Sequence, residues 1–290
     1  MFDGGFSNRY RISQGQGFAL HQQTSLAENR LSDEETGRLL KQRVKEIAEL
    51  QNLLYANRRW SLLVIFQAMD AAGKDSAIRN VFSGVNPQGC EVHNFRAPSL
   101  SELEHNFLWR AAGRTPARGK IGIFNRSWYE ETLIVRVHPE LLVVQQLPEA
   151  LVSDSLWDER LEDIAAFEKH LARSGTVVLK FYLHLSREEQ KKRLLARLDN
   201  PEKNWKFDQS DIDERDHWDT YMHAYEQAIG KTARPWAPWF VIPADNKPYA
   251  RLVVADAVLS ALQQLNLSWP RVSEEQKAVL ARCRERLQGE

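Results

Sequence analysis

An α/β fold, a parallel sheet of about five strands with helices on both faces, is what this sequence predicts, on three observations. Short apolar runs rich in β-branched residues recur along the chain and read as strands buried on both faces. Segments with helical spacing lie between them, the alternation expected of a sheet joined by crossover helices. The first run, Ser61 to Gln67, passes into a small-residue turn closed by Gly73-Lys74, and residues 77–82 then continue with helical spacing.

Taken in order, residues 1–31 are polar and read as an arm lying over another part of the molecule. Ser32 with Glu35 makes a capping box. It opens a helix that places Leu40, Val44, Ile47 and Leu54 on one face and ends near Asn57, a packing or oligomer surface. Arg58 and Arg59 precede the first strand as solvated charges, with substrate contact the alternative. Cys90 to Phe95 is a weaker second strand, and Leu103, Phe107 and Leu108 supply the buried side of a following helix. Ile121 to Phe124 is the next strand. Pro148 opens a helix running to about Arg173, with Leu156, Leu161, Ile164 and Phe167 inward. Thr176 to Leu185 is a strong strand, in which His184 has no paired ligand and reads as structural. Trp239 begins the last strand, residues 249–265 form the closing helix, and residues 271–290 form a charged helical tail. The expected organisation is therefore an arm (1–31), one domain (32–270) and a tail (271–290).

The chain has 290 residues, 43% of them hydrophobic, enough for one sizeable core. Its 39 basic and 39 acidic residues balance, giving no general attraction to nucleic acid or a membrane surface; affinity for a polyanion must come from local clustering. Cys90 and Cys283 match no metal spacing. With no secretory leader and no apolar run of membrane-spanning length, a cytoplasmic protein is expected.

The turn after the first strand carries the chemistry. Strand, small-residue loop, Gly-Lys and helix are the context of a Walker A phosphate loop, in which loop amides surround a phosphate and Lys74 reaches the terminal phosphates. Ala71, Ala72, Gly73, Asp75 and Ser76 complete that cradle. Two departures matter. Asp75 stands where a magnesium-ligating hydroxyl is usual, and Asp70 puts a carboxylate among phosphates, which needs a cation, a hydrogen bond or a second substrate facing it. Loops at the carboxyl ends of parallel strands line the site, so Arg96 is a candidate phosphate contact, with a surface charge as the alternative. After the strand at 121–124 comes Asn125-Arg126-Ser127-Trp128-Tyr129-Glu130-Glu131. Arg126 can neutralise a moving phosphoryl group and Glu130 can help hold magnesium. The plainer reading is a polar helix start, where carboxylates are favoured.

Residues from about 186 to 230 read as a lid. Arg193 and Arg197 are four apart on one helical face, with Lys203 and Lys206 beyond Pro201. A basic helix after a sheet strand suits a lid that closes over a phosphate donor and excludes water.

These motifs resemble the polyphosphate kinase 2 family. The resemblance rests on Met69-Asp70-Ala71-Ala72-Gly73-Lys74-Asp75, on residues 94–99 and 124–131, and on Asn200-Pro201-Glu202-Lys203-Asn204-Trp205-Lys206, four ordered motifs within residues 32–265. It implies a P-loop kinase fold and phosphoryl transfer between inorganic polyphosphate and nucleotides. It further implies Asp70 on metal or acceptor phosphate, Lys74 and Arg126 on phosphates, and Arg193, Arg197 and Lys206 on polyphosphate. Asn125 followed by Tyr129-Glu130-Glu131 resembles the class accepting mono- and diphosphates, AMP/ADP and GMP/GDP. Magnesium, with manganese as the alternative, and a homo-oligomer are also expected. An ATP-dependent nucleoside monophosphate kinase of the thymidylate kinase kind is the competing enzyme reading, and an anion-binding scaffold without turnover is the third.

Overall fold

The computed structural model describes residues 5–27 and 31–290, the side chain of Lys206 excepted. Six strands form one sheet: β1 (Arg11–Ile12), β2 (Ser61–Gln67), β3 (Cys90–Asn94), β4 (Ile121–Asn125), β5 (Thr176–His184) and β6 (Trp239–Pro243), in the order β1-β6-β5-β2-β4-β3. Five run parallel, as predicted. The sixth, β1, is an addition: the arm pairs antiparallel with the edge of β6, Arg11 opposite Phe240. Two residues of strand carry no readable periodicity, so this pairing is tertiary in origin.

The helices are α1 (Asp33–Asn57), α2 (Lys74–Val81), α3 (Leu100–Leu103), α4 (Trp109–Ala112), α5 (Ile134–Val137), α6 (Glu140–Val143), α7 (Leu156–Arg173), α8 (Arg187–Leu198), α9 (Ser210–Asp216), α10 (Trp218–Thr232), α11 (Lys247–Gln264) and α12 (Glu274–Gln288). The expected capping box is present: Ser32 Oγ accepts from Glu35 N (3.1 Å) and Ser32 N donates to Glu35 Oε2 (2.9 Å). Arg58, in the left-handed region at φ 53°, ends α1.

Strand periodicity sorts the core into two layers. Leu62, Val64 and Phe66 of β2 face α1, α2 and α11, whereas Leu63 and Ile65 face α7 and α10. Each fully buried apolar side chain contributes roughly 1.5–3 kcal/mol, so the central strand is held from both sides. The tail helix α12 is exposed along its whole length.

Two helix boundaries differ from expectation. Pro148 has ψ 133° and opens only the one-turn segment Glu149–Leu151, and the long helix begins at Leu156. The helix expected through residues 103–108 is split into α3 and α4. Asn106 Oδ1 accepts from Leu108 N (3.1 Å), a local side-chain bond that competes with continuing the helix.

The chain order places β2 between β4 and β5, with earlier crossovers on one side and later ones on the other. That switch point opens a crevice beyond the carboxyl end of β2. The loop after β2 lies there, between the ends of β4 and β5.

Candidate active site

The loop from Ala68 to Gly73 turns sharply between β2 and α2. Gly73 has φ 108°, and an added Cβ would meet nothing within 4 Å, so glycine serves the backbone angle there. Ala71 also has positive φ, 63°, a conformation costing a non-glycine residue about 1–2 kcal/mol. Lys74 folds back under the loop, donating to Ala68 O (2.7 Å) and Met69 O (3.4 Å). Withdrawal from water lowers its pKa and Arg126 adds repulsion, against the pull of Asp70, Glu130 and Asp75.

Adjacent strands bring the second motif to the loop. Phe66 is in register with Asn125, and Arg126 N donates to Phe66 O (3.0 Å). Arg126 itself has φ 65°, which turns the chain out of β4. Its guanidinium lies between two carboxylates, 3.1 Å from Asp70 Oδ1 and 3.6 Å from Glu130 Oε2. Those charges, Glu130 before Asp70, hold its pKa above the ordinary arginine value. Gln67 Nε2 donates to the other oxygen of Glu130 (3.0 Å). Asn125 Nδ2 bridges Asp75 Oδ1 (2.7 Å) and Asn94 Oδ1 (2.8 Å).

The segment carrying Glu130 is anchored from below. Trp128 and Tyr129 are buried, and Tyr129 Oη donates to Glu168 Oε1 (2.9 Å). Glu168 also pairs with Lys180 Nζ (2.5 Å), and Lys180 donates to Thr232 O (2.9 Å). Both charged groups are fully buried; loss of solvent raises the Glu168 pKa and lowers that of Lys180, each opposed by its partner. Glu131 points away from the loop to Arg110, Arg160 and Gln145. Arg110 also donates to Arg96 O (2.7 Å), which fixes the loop after β3.

The structure brings most of the sequence-predicted residues to one cleft of about 890 Å³. Asp70 through Ser76, Arg96, Asn125, Arg126, Arg193, Arg197 and Lys203 all line it. Glu130 reaches it through Arg126. The side chain of Lys206 lies outside the described residues. Arg197 pairs with Asp211 (2.9 Å). Arg193, expected to face polyphosphate, is instead buried with its guanidinium on backbone carbonyls of the loop and of the β6 end. Sequence reasoning missed Arg79, Lys247 and Arg251 on the cleft wall, although Arg251 Nη2 donates to Ser76 Oγ (2.6 Å). Their one available signal was position: Arg79 on the helix after the loop, and Lys247 and Arg251 in the first turns of the helix after the last strand.

Nine basic side chains line the cleft against two acidic ones, Asp70 and Asp75, in a chain whose formal net charge is zero. The cationic character is thus local, and it suits a ligand carrying many negative charges. Among the described residues no three His, Cys, Asp or Glu side chains converge as a preformed metal site. A magnesium ion held by one or two carboxylates together with substrate phosphates needs no such cluster. Asp70 meets that requirement: Arg126 occupies its Oδ1, and its Oδ2 accepts no hydrogen bond from the described residues.

Known proteins resemble this chain over most of its length. The family model described as Polyphosphate kinase 2 (PPK2) matches residues 30–269. The chain is 48% identical over 257 residues to the ADP-polyphosphate phosphotransferase of Rhodopseudomonas palustris, covering 88% of this chain and 89% of the relative. It is 44% identical over 227 residues to the AMP/ADP-polyphosphate phosphotransferase of Meiothermus ruber, covering 78% and 81%. The crystal structure of polyphosphate kinase 2 from Arthrobacter aurescens TC1 superposes with a TM-score of 0.88 at 37% identity, covering 98% of both chains.

Proposed function

The chain belongs to the polyphosphate kinase 2 family, and from that premise we propose that it moves a phosphoryl group from inorganic polyphosphate to AMP and ADP in the cleft above β2. The observation that carries this reading is the excess of nine basic over two acidic side chains lining that cleft. A single triphosphate needs fewer; an extended polyanion uses a track, here offered by Arg79, Arg251, Lys247, Arg197 and Lys203 lining the same cleft as the phosphate loop.

The residues divide the work by position. The loop amides and Lys74 hold the phosphates next to the transfer point. Arg126, held between Glu130 and Asp70, neutralises the moving group, and positioning with charge neutralisation is most of what phosphoryl transfer requires. Asn125 holds Asp75 and Asn94 together, and Arg96 lines the same cleft as a further phosphate contact. Asp70, with Glu130, would hold magnesium, or manganese in its place; when bound, the ion supplies charge neutralisation to the phosphate oxygens.

We extend the acceptor range to GMP and GDP, and the catalytic unit to residues 32–270, working as a homo-oligomer in the cytoplasm. The direct test is incubation of AMP, ADP, GMP or GDP with long-chain polyphosphate and magnesium, without ATP, with products separated by ion-exchange chromatography. Formation of the next higher phosphate from each is expected. Turnover only when ATP is supplied would replace this reading with that of an ATP-dependent monophosphate kinase.

A further inference from the structure

Five consecutive carbonyls of the phosphate loop are each bonded by a side chain. Lys74 takes those of Ala68 and Met69. The next three belong to helix α8. Gln190 Nε2 donates to Asp70 O (3.0 Å), and Arg193 Nη1 donates to Ala71 O (3.2 Å) and Ala72 O (3.0 Å). A peptide is planar, with its C=O and N–H pointing opposite ways. Holding the carbonyls of Asp70 and Ala72 toward α8 therefore aims the amides of Ala71 and Gly73 the other way, and neither amide donates to a protein acceptor among the described residues. With φ positive at both Ala71 and Gly73, this is the geometry of an anion-binding nest.

Arg193 has nothing left for a ligand. A guanidinium carries five N–H donors. Nε donates to Glu189 Oε1 (2.9 Å), Nη1 to the two loop carbonyls, and Nη2 to Ala244 O (2.7 Å) and Asp245 O (3.0 Å). The side chain is 6% exposed. It spans from the loop after β2 to the loop after β6, across β5. The start of α8 is fixed to the same place, since Ser186 N donates to Asp245 Oδ1 (2.8 Å). Asp245 is held in turn by the arm, its Oδ2 accepting from Ser25 Oγ (2.9 Å).

We propose that Gln190 and Arg193 are positioning residues: α8 is a fixed clasp that presets the peptide planes of the phosphate loop, and neither side chain contacts substrate. Any lid motion then begins beyond Arg193. The proposal rests on the reading that this loop receives the phosphates of polyphosphate, and its test keeps the two apart.

The experiment uses the full chain carrying Gln190→Met, Arg193→Lys or Arg193→Gln. For each, kcat and KM for polyphosphate are measured at several salt concentrations, binding of inorganic tripolyphosphate by calorimetry, and stability by urea unfolding. Gln190→Met keeps the length and removes both the donor to Asp70 O and the acceptor of Arg215 Nη1 (2.6 Å), which keeps Arg187 O as a second partner; an expected loss of about tenfold in kcat/KM and in tripolyphosphate affinity corresponds to about 1.4 kcal/mol. Arg193→Lys keeps the charge but cannot reach four carbonyls. It should lose as much activity as Arg193→Gln, and both should keep the wild-type salt dependence. Lysine retaining near-normal activity, or Arg193→Gln flattening the salt dependence, would show that the charge acts on substrate and overturn the clasp. Reduced stability with normal kcat/KM and normal tripolyphosphate affinity per folded molecule would overturn it as well. If Arg193→Lys fails to fold, Gln190→Met decides. A wild-type chain that binds tripolyphosphate without turnover would refute the proposed function while the binding arm still judges the clasp; one that does neither refutes both.

Discussion

Asp70→Asn separates charge from shape at the residue least at home in a phosphate loop. In the folded chain its carboxylate meets Arg126 at 3.1 Å, with side-chain exposures of 31% and 37% for the two partners. An ion pair that open to water contributes at most about 1 kcal/mol. Arg126 keeps Glu130 at 3.6 Å, so its charge is not stranded by the substitution. The carboxylate accepts no backbone N–H among the described contacts, so no turn cap is lost either. Stability to urea should therefore change by less than about 1 kcal/mol. Turnover should fall far more, by roughly a hundredfold or beyond, about 2.7 kcal/mol of barrier, if Asp70 holds magnesium and the acceptor phosphate in line. The assay is ATP formation from ADP and polyphosphate, run across a magnesium titration, beside urea unfolding of the same preparation. The half-saturating magnesium concentration should rise with the loss of turnover. A variant of wild-type stability, with turnover within threefold of normal and an unmoved magnesium dependence, would refute the role.

Three further outcomes are expected. Lys180→Met leaves Glu168 fully buried without its cation and should cost about 3–5 kcal/mol in urea unfolding, most of it recovered in the double variant with Glu168→Leu; equal stability of the single variant and wild type would contradict this. Lys247→Ala should raise the polyphosphate KM roughly fivefold and leave the acceptor KM alone, since one exposed charged contact contributes at most about 1 kcal/mol, and added salt should weaken donor binding in the wild type; a donor KM indifferent to both would remove the cleft wall from the polyphosphate track. Partial burial disfavours the His138 imidazolium, but Glu214 at 2.9 Å and Glu140 at 3.2 Å outweigh it and raise the pKa above 6.5. Its stabilisation is thus complete below the unfolded value and lost as pH rises through the folded one. The stability gap between wild type and His138→Gln should be wider at acid than at alkaline pH, and a gap independent of pH would exclude the pair.

What the sequence determined by itself was local. The five parallel strands, the loop closed by Gly73-Lys74 and the capping box at Ser32 and Glu35 could be read because apolar periodicity, turn residues and caps act over a few positions. The meeting of Asp70, Lys74 and Arg126 followed from placing both motifs at the carboxyl ends of strands. Only the tertiary structure decided where charges far apart in the chain come to rest. Lys180 sits in an apolar strand pattern and gives no sign that Glu168 awaits it in the core. Arg251, on the closing helix, reaches back 175 positions to Ser76. Arg193 was legible as a basic residue on the right helix face, yet its five donors end on Glu189 and four backbone carbonyls. Sequence spacing tells which side of a helix an arginine occupies; whether its guanidinium meets a ligand or the chain's own carbonyls depends on which loops the finished sheet has set beside it.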